Sequence, residues 1–260
     1  MITEQKILIN GLNVNYKVAG EGQPILILHG WGSSSDSWSK IQETLAKKGY
    51  FVVCPDLPGF GKSETPPEPW TLNDYAKLVI DFSNSQNLRD FYLIAHSFGG
   101  RIAVKLTTVY AERIRKLILC DSAGIKIKPE IKTKIILLMS EAGNAVFSLK
   151  PFVIFKDFAR NFFYCFLRYK DYVKANSIMR ETMKKVLVED LLPEIPKIKN
   201  KTLIVWGDKD KMVPVKYAYL FKEKISDSRL EIFPKVGHSP HLEVPGLLSE
   251  KILNFLKNEF

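Results

Sequence analysis

The sequence is poor in cysteine and contains no long hydrophobic run. Its 260 residues include three cysteines, Cys54, Cys120 and Cys165, whose spacing is neither paired nor typical of a zinc site. No run approaches the ~18 uncharged apolar residues of a membrane-spanning helix, and no basic segment followed by an apolar one opens the chain. These absences argue against a disulfide framework, a zinc site and an export signal, and they predict a cytoplasmic protein.

The sequence also lacks a block of consecutive lysines and arginines, although its net charge is +10. No nucleic-acid-binding motif is present, so we expect no nucleic-acid partner. Residues 125–200 hold 15 basic and 8 acidic side chains, and therefore +7 of the net charge. Two interpretations remain open for this segment: a helical lid with solvated lysines on its outer surface, or weak peripheral contact with anionic membranes.

What the sequence does contain is a regular alternation of short apolar runs with longer amphipathic segments. The runs are rich in β-branched and aromatic residues, which is typical of strands. Eight strands are predicted: Lys6 to Ile9, Val14 to Val18, Ile25 to Leu28, Phe51 to Cys54, Phe91 to Ala95, Leu117 to Asp121, Thr202 to Trp206 and Leu230 to Phe233. Five helices are predicted between or after them: Trp38 to Lys48, Leu72 to Asn84, Gly99 to Tyr110, Val215 to Lys224 and Pro245 to Asn258.

This order predicts an α/β fold with one mostly parallel eight-stranded sheet covered by helices on both faces. The first two strands form an antiparallel hairpin because Asn10-Gly11 favours a tight turn between them. Residues 125–199 show helical patterns and no clear strand. We therefore predict a core domain made of residues 1–124 and 200–260, with residues 125–199 inserted as a helical cap.

The stretch "LIAHSFGG", residues 93–100, places a serine between a predicted strand and a predicted helix. A very tight strand-to-helix turn exposes the side chain at its apex, at the positive end of the helix dipole. Small residues two before and two after the apex let the strand and helix pass closely, and here they are Ala95 and Gly99. The pattern therefore predicts that Ser97 is presented as a nucleophile.

A serine hydroxyl needs a base to remove its proton and a third group to orient that base. The strand ending at Trp206 leads into a loop that carries Asp208 and Asp210, and the last strand leads into a loop that carries His238. Because the carboxyl ends of parallel strands share one edge of the sheet, Ser97, Asp210 and His238 are expected to converge there.

Five stretches together resemble the α/β-hydrolase family over nearly the whole chain: "HGWGSSSDSW", "PDLPGFGKS", "AHSFGG", "GDKDKMVP" and "GHSPHLEVP". The resemblance implies that Ser97 is the nucleophile, His238 the general base and acid, and Asp210 the carboxylate that orients the imidazole. It also implies that the backbone N–H groups of Trp31 and Phe98 form the oxyanion hole. Ala95 stands where the family usually has glycine.

Two other carboxylates compete for the role of the acid. Asp208 lies two residues before Asp210, and Asp121 ends the strand before the insertion, where some members of the family place the acid. Asp210 fits the family pattern "GDxDxxVP" best, and Asp121 is the second choice. The expected pocket has Trp31 and Phe98 at its floor; four further apolar side chains are weaker candidates for its lining, Met139, Phe147, Phe155 and Met212.

The resemblance implies a carboxylesterase that acts on small or medium apolar substrates through an acyl-enzyme intermediate, with no metal or organic cofactor. Family members that open epoxides or displace halide need a carboxylate at the elbow, and Ser97 excludes that chemistry. The serine-based alternatives are a lactonase for alkyl-substituted lactones, a thioesterase and a C–C bond hydrolase. A receptor-like ligand-binding member of the fold is the alternative that is not an enzyme.

Overall fold

The computed structural model describes residues 1–126 and 177–257, which are built around one twisted sheet. Its strands appear in the order β1-β2-β4-β3-β5-β6-β7-β8, and only the β1–β2 and β2–β4 pairs are antiparallel. All eight predicted strands are confirmed. Their bounds are β1 Thr3–Ile9, β2 Leu12–Ala19, β3 Gln23–Leu28, β4 Tyr50–Pro55, β5 Phe91–His96, β6 Ile114–Cys120, β7 Lys201–Gly207 and β8 Ser228–Phe233.

The predicted hairpin joins β1 to β2. Ile9 pairs with Leu12, so the loop contains only Asn10 and Gly11, and both have positive φ angles of 51° and 81°. This conformation suits asparagine and glycine and matches the twist of the two strands. The hairpin extends further than predicted, to Thr3, because backbone pairing continues where the side chains are exposed and show no apolar pattern.

Helices cover both faces of the sheet. Their bounds are α1 Ser39–Ala46, α2 Leu72–Ser85, α3 Phe98–Val109, α4 Ser177–Val188, α5 Lys216–Lys224, α6 Pro240–Glu243 and α7 Pro245–Lys257. Side chains of α2, α3, α4 and α5 pack on one face, and those of α1 and α7 pack on the other. Alternate residues of β3 serve the two layers: Leu26 and Leu28 belong to the first, Ile25 and Ile27 to the second. Full burial of each such side chain stabilises the fold by about 1.5–3 kcal/mol.

The start of α2 was predicted correctly. Thr71 is its N-cap and forms a capping box with Asp74: the Thr71 backbone N–H donates to the Asp74 carboxylate at 2.7 Å, and the Asp74 N–H donates to the Thr71 hydroxyl at 3.4 Å. Both bonds satisfy N–H groups that have no partner within the helix. The four-residue helix α6 was not predicted, since it is too short to show a period.

The second described part of the predicted cap, residues 177–199, packs directly on the core. Met179, Met183 and Val186 of α4 are buried, and the Thr182 hydroxyl accepts a hydrogen bond from the Trp70 N–H at 3.0 Å. The buried Arg101 guanidinium on α3 donates to the Val186 carbonyl at 2.5 Å and also to the Glu189 carbonyl. Because the rest of the insertion lies outside the described residues, the proposed domain boundaries stay a prediction.

Among residues 1–126 and 177–257, no helix has both the length and the apolar character that a membrane span requires.

Candidate active site

Ser97 occupies the tight turn between β5 and α3, in a strained backbone conformation. Its φ and ψ angles are 50° and −109°, and a non-glycine residue in such a conformation costs about 1–3 kcal/mol. Strand β6 and the loop after it hold the turn: the Ser97 N–H donates to the Cys120 carbonyl at 3.2 Å, and the Ser97 carbonyl accepts from the Ala123 N–H at 3.1 Å. Helix α3 begins at the next residue, so the Ser97 side chain lies at the N-terminal end of that helix.

Gly99 leaves the space that this turn needs. A Cβ atom there would lie 2.4 Å from the Leu28 carbonyl oxygen and 2.9 Å from that of His29, and both are backbone atoms of the adjacent β3 segment. The methyl group of Ala95 is accommodated in full burial, so alanine fits at the position where the family usually has glycine.

We expect Gly99→Ala to destabilise the protein by about 1–3 kcal/mol, because the helix or the adjacent strand must move to admit the methyl group. Thermal unfolding should show a melting temperature lower by about 3 °C or more. The matched control is Gly246→Ala in α7, where nothing lies within 4 Å of the added Cβ. Equal melting temperatures for the two variants would contradict the close approach.

The three residues predicted to form the triad meet in one chain of hydrogen bonds. The His238 Nε2 atom lies 2.9 Å from the Ser97 hydroxyl oxygen, and the His238 Nδ1 atom lies 2.7 Å from the Asp210 Oδ2 atom. A carboxylate only accepts, so Nδ1 carries the proton and Nε2 accepts from Ser97. Asp210 follows β7 and His238 follows β8, so the carboxyl ends of three strands supply these side chains.

The Asp210 carboxylate is fully buried, and its second oxygen is held by the backbone. Oδ1 accepts hydrogen bonds from the Met212 N–H at 2.7 Å and the Val213 N–H at 2.9 Å. The Asp210 and His238 side chains are 0% and 10% exposed, respectively. Low exposure strengthens the attraction between them and fixes the direction in which the imidazole points.

The two competing carboxylates occupy different positions. The Asp208 Oδ1 atom accepts from the Lys235 N–H at 2.6 Å, near the surface. Asp121 is buried next to the triad, and its Oδ1 atom accepts from the Gly207 N–H at 3.0 Å. Only Asp210, of these three, has a hydrogen bond to the imidazole in the described part of the chain.

Asp121, Asp210 and His238 each place an oxygen or nitrogen atom within 4.8 Å of the others. Within this group, hydrogen bonds join Asp210 to His238 and His238 to Ser97. Burial is the main factor that raises the pKa of Asp121 to about 9, and the nearby Asp210 carboxylate raises it further, against the lowering effect of the Gly207 N–H. This shift favours the neutral form of the Asp121 carboxyl group.

The predicted oxyanion donors lie on two segments that flank Ser97. Phe98 is the first residue of α3, so its N–H has no acceptor within the helix. Trp31 follows β3 in a turn whose Gly30 lies against the elbow, since a Cβ there would be 3.3 Å from the Ser97 Cβ. The placement fits the predicted oxyanion hole, and the role of both N–H groups stays a prediction.

Four aromatic rings pack together beside Ser97; Phe60, Tyr75 and Phe98 are buried, and Trp31 is half-buried. The Trp31 ring contacts those of Phe98 and Phe60, with centroids 5.1 Å and 4.8 Å apart, and Tyr75 contacts Phe98 at 5.1 Å. Phe60 and Tyr75 were not predicted as pocket residues. The signal available for Phe60 is its place between two glycines of "PGFGKS", whose φ angles are positive.

The other predicted pocket residues divide into two groups. Met212 is half-buried in the loop that holds Asp210. Met139, Phe147 and Phe155 lie outside the described residues. Met179 of α4 was missed by the sequence analysis: it packs against Gly59, where an added Cβ would lie 2.3 Å from the Met179 sulfur.

The remaining histidines connect and support the loops of the site. His29 is fully buried, and burial lowers its pKa; its Nε2 atom accepts from the Leu57 N–H at 2.9 Å, which joins the Trp31 turn to the glycine-rich turn. His96 donates from Nε2 to the His238 carbonyl at 2.7 Å. His241 stacks on Trp38 with ring centroids 4.4 Å apart.

Known proteins resemble this chain over most of its length. The family described as alpha/beta hydrolase fold matches residues 23–160 and 143–245. A 2-hydroxy-6-oxo-6-(2'-aminophenyl)hexa-2,4-dienoic acid hydrolase from Metapseudomonas resinovorans is 27% identical over 266 residues, which cover 97% of this chain and 90% of that protein.

Two solved structures have the same architecture. A serine hydrolase involved in carbazole degradation is 26% identical with a TM-score of 0.76, and the match covers 98% of this chain and 99% of that one. A thermophilic esterase from Thermogutta terrifontis is 23% identical with a TM-score of 0.72, and the match covers 98% of each chain. Since the family match spans most of the sequence and the sheet has the corresponding topology, the chain belongs to the alpha/beta hydrolase fold family.

Proposed function

We propose that this protein is a serine hydrolase that cleaves carboxylic esters of small or medium apolar substrates through an acyl-enzyme intermediate. The observation that carries this proposal is the unbroken hydrogen-bond chain from the Ser97 hydroxyl through His238 to Asp210. A buried carboxylate, an imidazole and a strained serine in this order are what nucleophilic acyl transfer requires.

In the first half-reaction, His238 Nε2 takes the Ser97 proton while the serine oxygen attacks the ester carbonyl. The negative charge that develops on the carbonyl oxygen is stabilised by the N–H groups of Trp31 and Phe98, and loss of one such donor typically costs about 2.7–4 kcal/mol of transition-state stabilisation. His238 then gives its proton to the leaving alcohol, and the acyl group stays on Ser97. In the second half, His238 takes a proton from water, the hydroxide attacks the acyl carbon, and Ser97 regains its proton as the acid leaves.

The aromatic surface formed by Trp31, Phe60 and Phe98 supports an apolar acyl or alcohol group. These rings pack edge to face, and the half-buried Trp31 ring offers apolar surface that binds hydrocarbon by removing it from water. Arg101, a buried cation on the nucleophile's own helix, is engaged by the carbonyls of Val186 and Glu189. The rings around Trp31 are apolar, and the Arg101 guanidinium already donates to backbone carbonyls. Both observations favour an uncharged substrate.

A second candidate is the hydrolysis of a C–C bond, and the relative from Metapseudomonas resinovorans favours it. Its name describes a substrate with a ketone at one end of a six-carbon chain and a carboxylic acid at the other end. The same triad geometry can serve this reaction, but the substrate's carboxylate needs a cationic partner. Alkyl-substituted lactones and thioesters are further substrates within the same acyl-transfer chemistry, and a receptor-like role would leave the pocket as a ligand site alone.

One panel of substrates tests these alternatives. The purified protein should hydrolyse p-nitrophenyl butyrate, measured by release of p-nitrophenolate, with a higher kcat/KM than it shows for 2-hydroxy-6-oxo-6-phenylhexa-2,4-dienoate, measured by loss of the dienoate's absorbance. Longer p-nitrophenyl esters, a thioester and aliphatic lactones complete the panel. A higher kcat/KM for the dienoate would replace the esterase proposal by the C–C hydrolase, and binding without turnover of any substrate would favour the receptor.

A further inference from the structure

A second buried carboxyl group, that of Asp121, lies beside the triad and takes no part in the mechanism above. Asp121 directly follows β6, and Asp210 follows the neighbouring strand β7. Its backbone is fixed with a φ angle of 43°, and its N–H donates to the Val205 carbonyl at 3.0 Å. The pairing of β6 with β7 therefore determines where this carboxyl group points.

The two oxygens of Asp121 differ in their surroundings. Oδ1 accepts the Gly207 N–H at 3.0 Å. Oδ2 is buried and receives no hydrogen bond from a donor in the described part of the chain, while the Asp210 carboxylate lies within hydrogen-bonding reach of the Asp121 side chain. Burying a charged oxygen without a hydrogen-bond donor costs free energy of folding. A buried O–H that faces a carboxylate avoids this cost, because it donates a hydrogen bond to that carboxylate.

The charged groups that face Asp121 also favour a protonated carboxyl group. Asp210 and Glu243 are the acidic groups that act on it, and the His238 ring nitrogen and the Asp210 oxygen both lie within 4.8 Å of it. Glu243 accepts hydrogen bonds from the N–H groups of Gly237 and Ser239 in the His238 loop. Two carboxylates at this separation in a buried site do not both ionise, because their repulsion is not screened by water.

We propose that Asp121 is a positioning residue that stays protonated in the folded protein and donates a hydrogen bond from its carboxyl O–H to the Asp210 carboxylate. Asp210 then receives donors from Met212, Val213, His238 and Asp121. This additional donor holds the ionised acid in the orientation that His238 needs, and the catalytic part of the inference rests on the proposed function.

The stability of Asp121→Asn tests the protonation state without any use of activity. In the unfolded chain an aspartate ionises near pH 4, whereas Asp121 keeps its proton in the folded state up to about pH 9. The unfolded state therefore binds fewer protons between these values, and the wild type loses stability as the pH rises through this range. Asparagine has the shape of a protonated aspartate and can donate a hydrogen bond, but it does not ionise. The Asp121→Asn variant should therefore not lose stability from this position as the pH rises.

We expect the melting temperature of Asp121→Asn, relative to wild type, to rise by about 2 °C or more per pH unit from pH 5 to pH 8. The control is Asp208→Asn, also directly after β7, whose carboxylate is partly exposed; its difference from wild type should stay constant over this range. A constant difference for Asp121→Asn would overturn the proposal, since it would mean that Asp121 is ionised when folded.

A pH profile of kcat tests the positioning role. Wild type should lose activity as Asp121 ionises near pH 9, because two adjacent carboxylates would push Asp210 away from His238, whereas Asp121→Asn should lack that alkaline limb. Asp121→Ala, which removes the donor, should have a kcat at least about tenfold below that of Asp121→Asn, with little change in KM. Equal kcat values for the Asn and Ala variants would overturn the positioning role.

If no substrate is turned over, only the proposed function fails, because the melting temperatures test the protonation of Asp121 without any use of activity.

Discussion

Ser97→Ala is expected to lower kcat for p-nitrophenyl butyrate by about 10⁴-fold or more. The variant removes the oxygen atom that is proposed to form the acyl-enzyme, and what survives is the binding and oxyanion stabilisation that accelerate attack by water. The substitution also removes the hydrogen bond between the serine hydroxyl and His238 Nε2. Because this bond lies at the edge of the sheet and not in its core, we expect the melting temperature to change little. Burst kinetics on wild type and steady-state rates on both proteins are the measurements.

The control for this prediction is Ser249→Ala. Ser249 is buried, whereas Ser97 is half-buried. Ser249 lies on α7, which packs on the face of the sheet opposite to α3, and its hydroxyl has no hydrogen-bond partner in the described residues. Its removal should leave kcat and KM as they are. Ester hydrolysis by Ser97→Ala at the wild-type rate would mean that another group carries the reaction, and the acyl-enzyme route would have to be abandoned.

Asp210→Asn should lower kcat by about 10⁴-fold while the protein stays folded. The amide oxygen can keep the bonds from the N–H groups of Met212 and Val213, which leaves the amide nitrogen towards His238 Nδ1. That nitrogen donates instead of accepting, so the imidazole takes the tautomer with its proton on Nε2. Such a ring cannot accept the Ser97 proton, and we expect a loss in kcat with little change in KM.

Asp208→Asn is the matched control for the acid, since it makes the same change two residues earlier. Its carboxylate contacts Lys235 rather than the imidazole, and we expect kcat within about twofold of wild type. A large loss in Asp208→Asn together with an active Asp210→Asn would transfer the role of the acid to Asp208. Rates measured at one pH near neutrality are sufficient for this comparison.

The positions of Ser97, Asp210 and His238 were predictable because each follows a strand with a clear apolar pattern. Parallel strands bring their carboxyl ends to one edge of the sheet. The three residues span 142 positions of the sequence, and the strand pattern alone predicts that they lie close together. The ends of the elements were less predictable. The strand predicted to include Asp121 ends at Cys120, because a positive φ angle terminates it, and no sequence pattern marks that angle at an aspartate.

The environment of the site was not predictable in the same way. The contact of Met179 with Gly59 joins residues that are far apart in the sequence, and it depends on how α4 lies on the core. The pairing of Asp121 with Asp210 depends on the register of two neighbouring strands and on burial. The sequence alone shows two aspartates at strand ends, but not the burial that raises the pKa of Asp121.

The positive φ angle of Ser97 has a consequence for attempts to improve this protein. Glycine adopts that conformation without strain, so a selection for heat resistance alone would favour its appearance at position 97. Such a selection would discard the proposed nucleophile while the sheet and helices remained intact. Any directed evolution of this chain should therefore screen for turnover and thermal tolerance together.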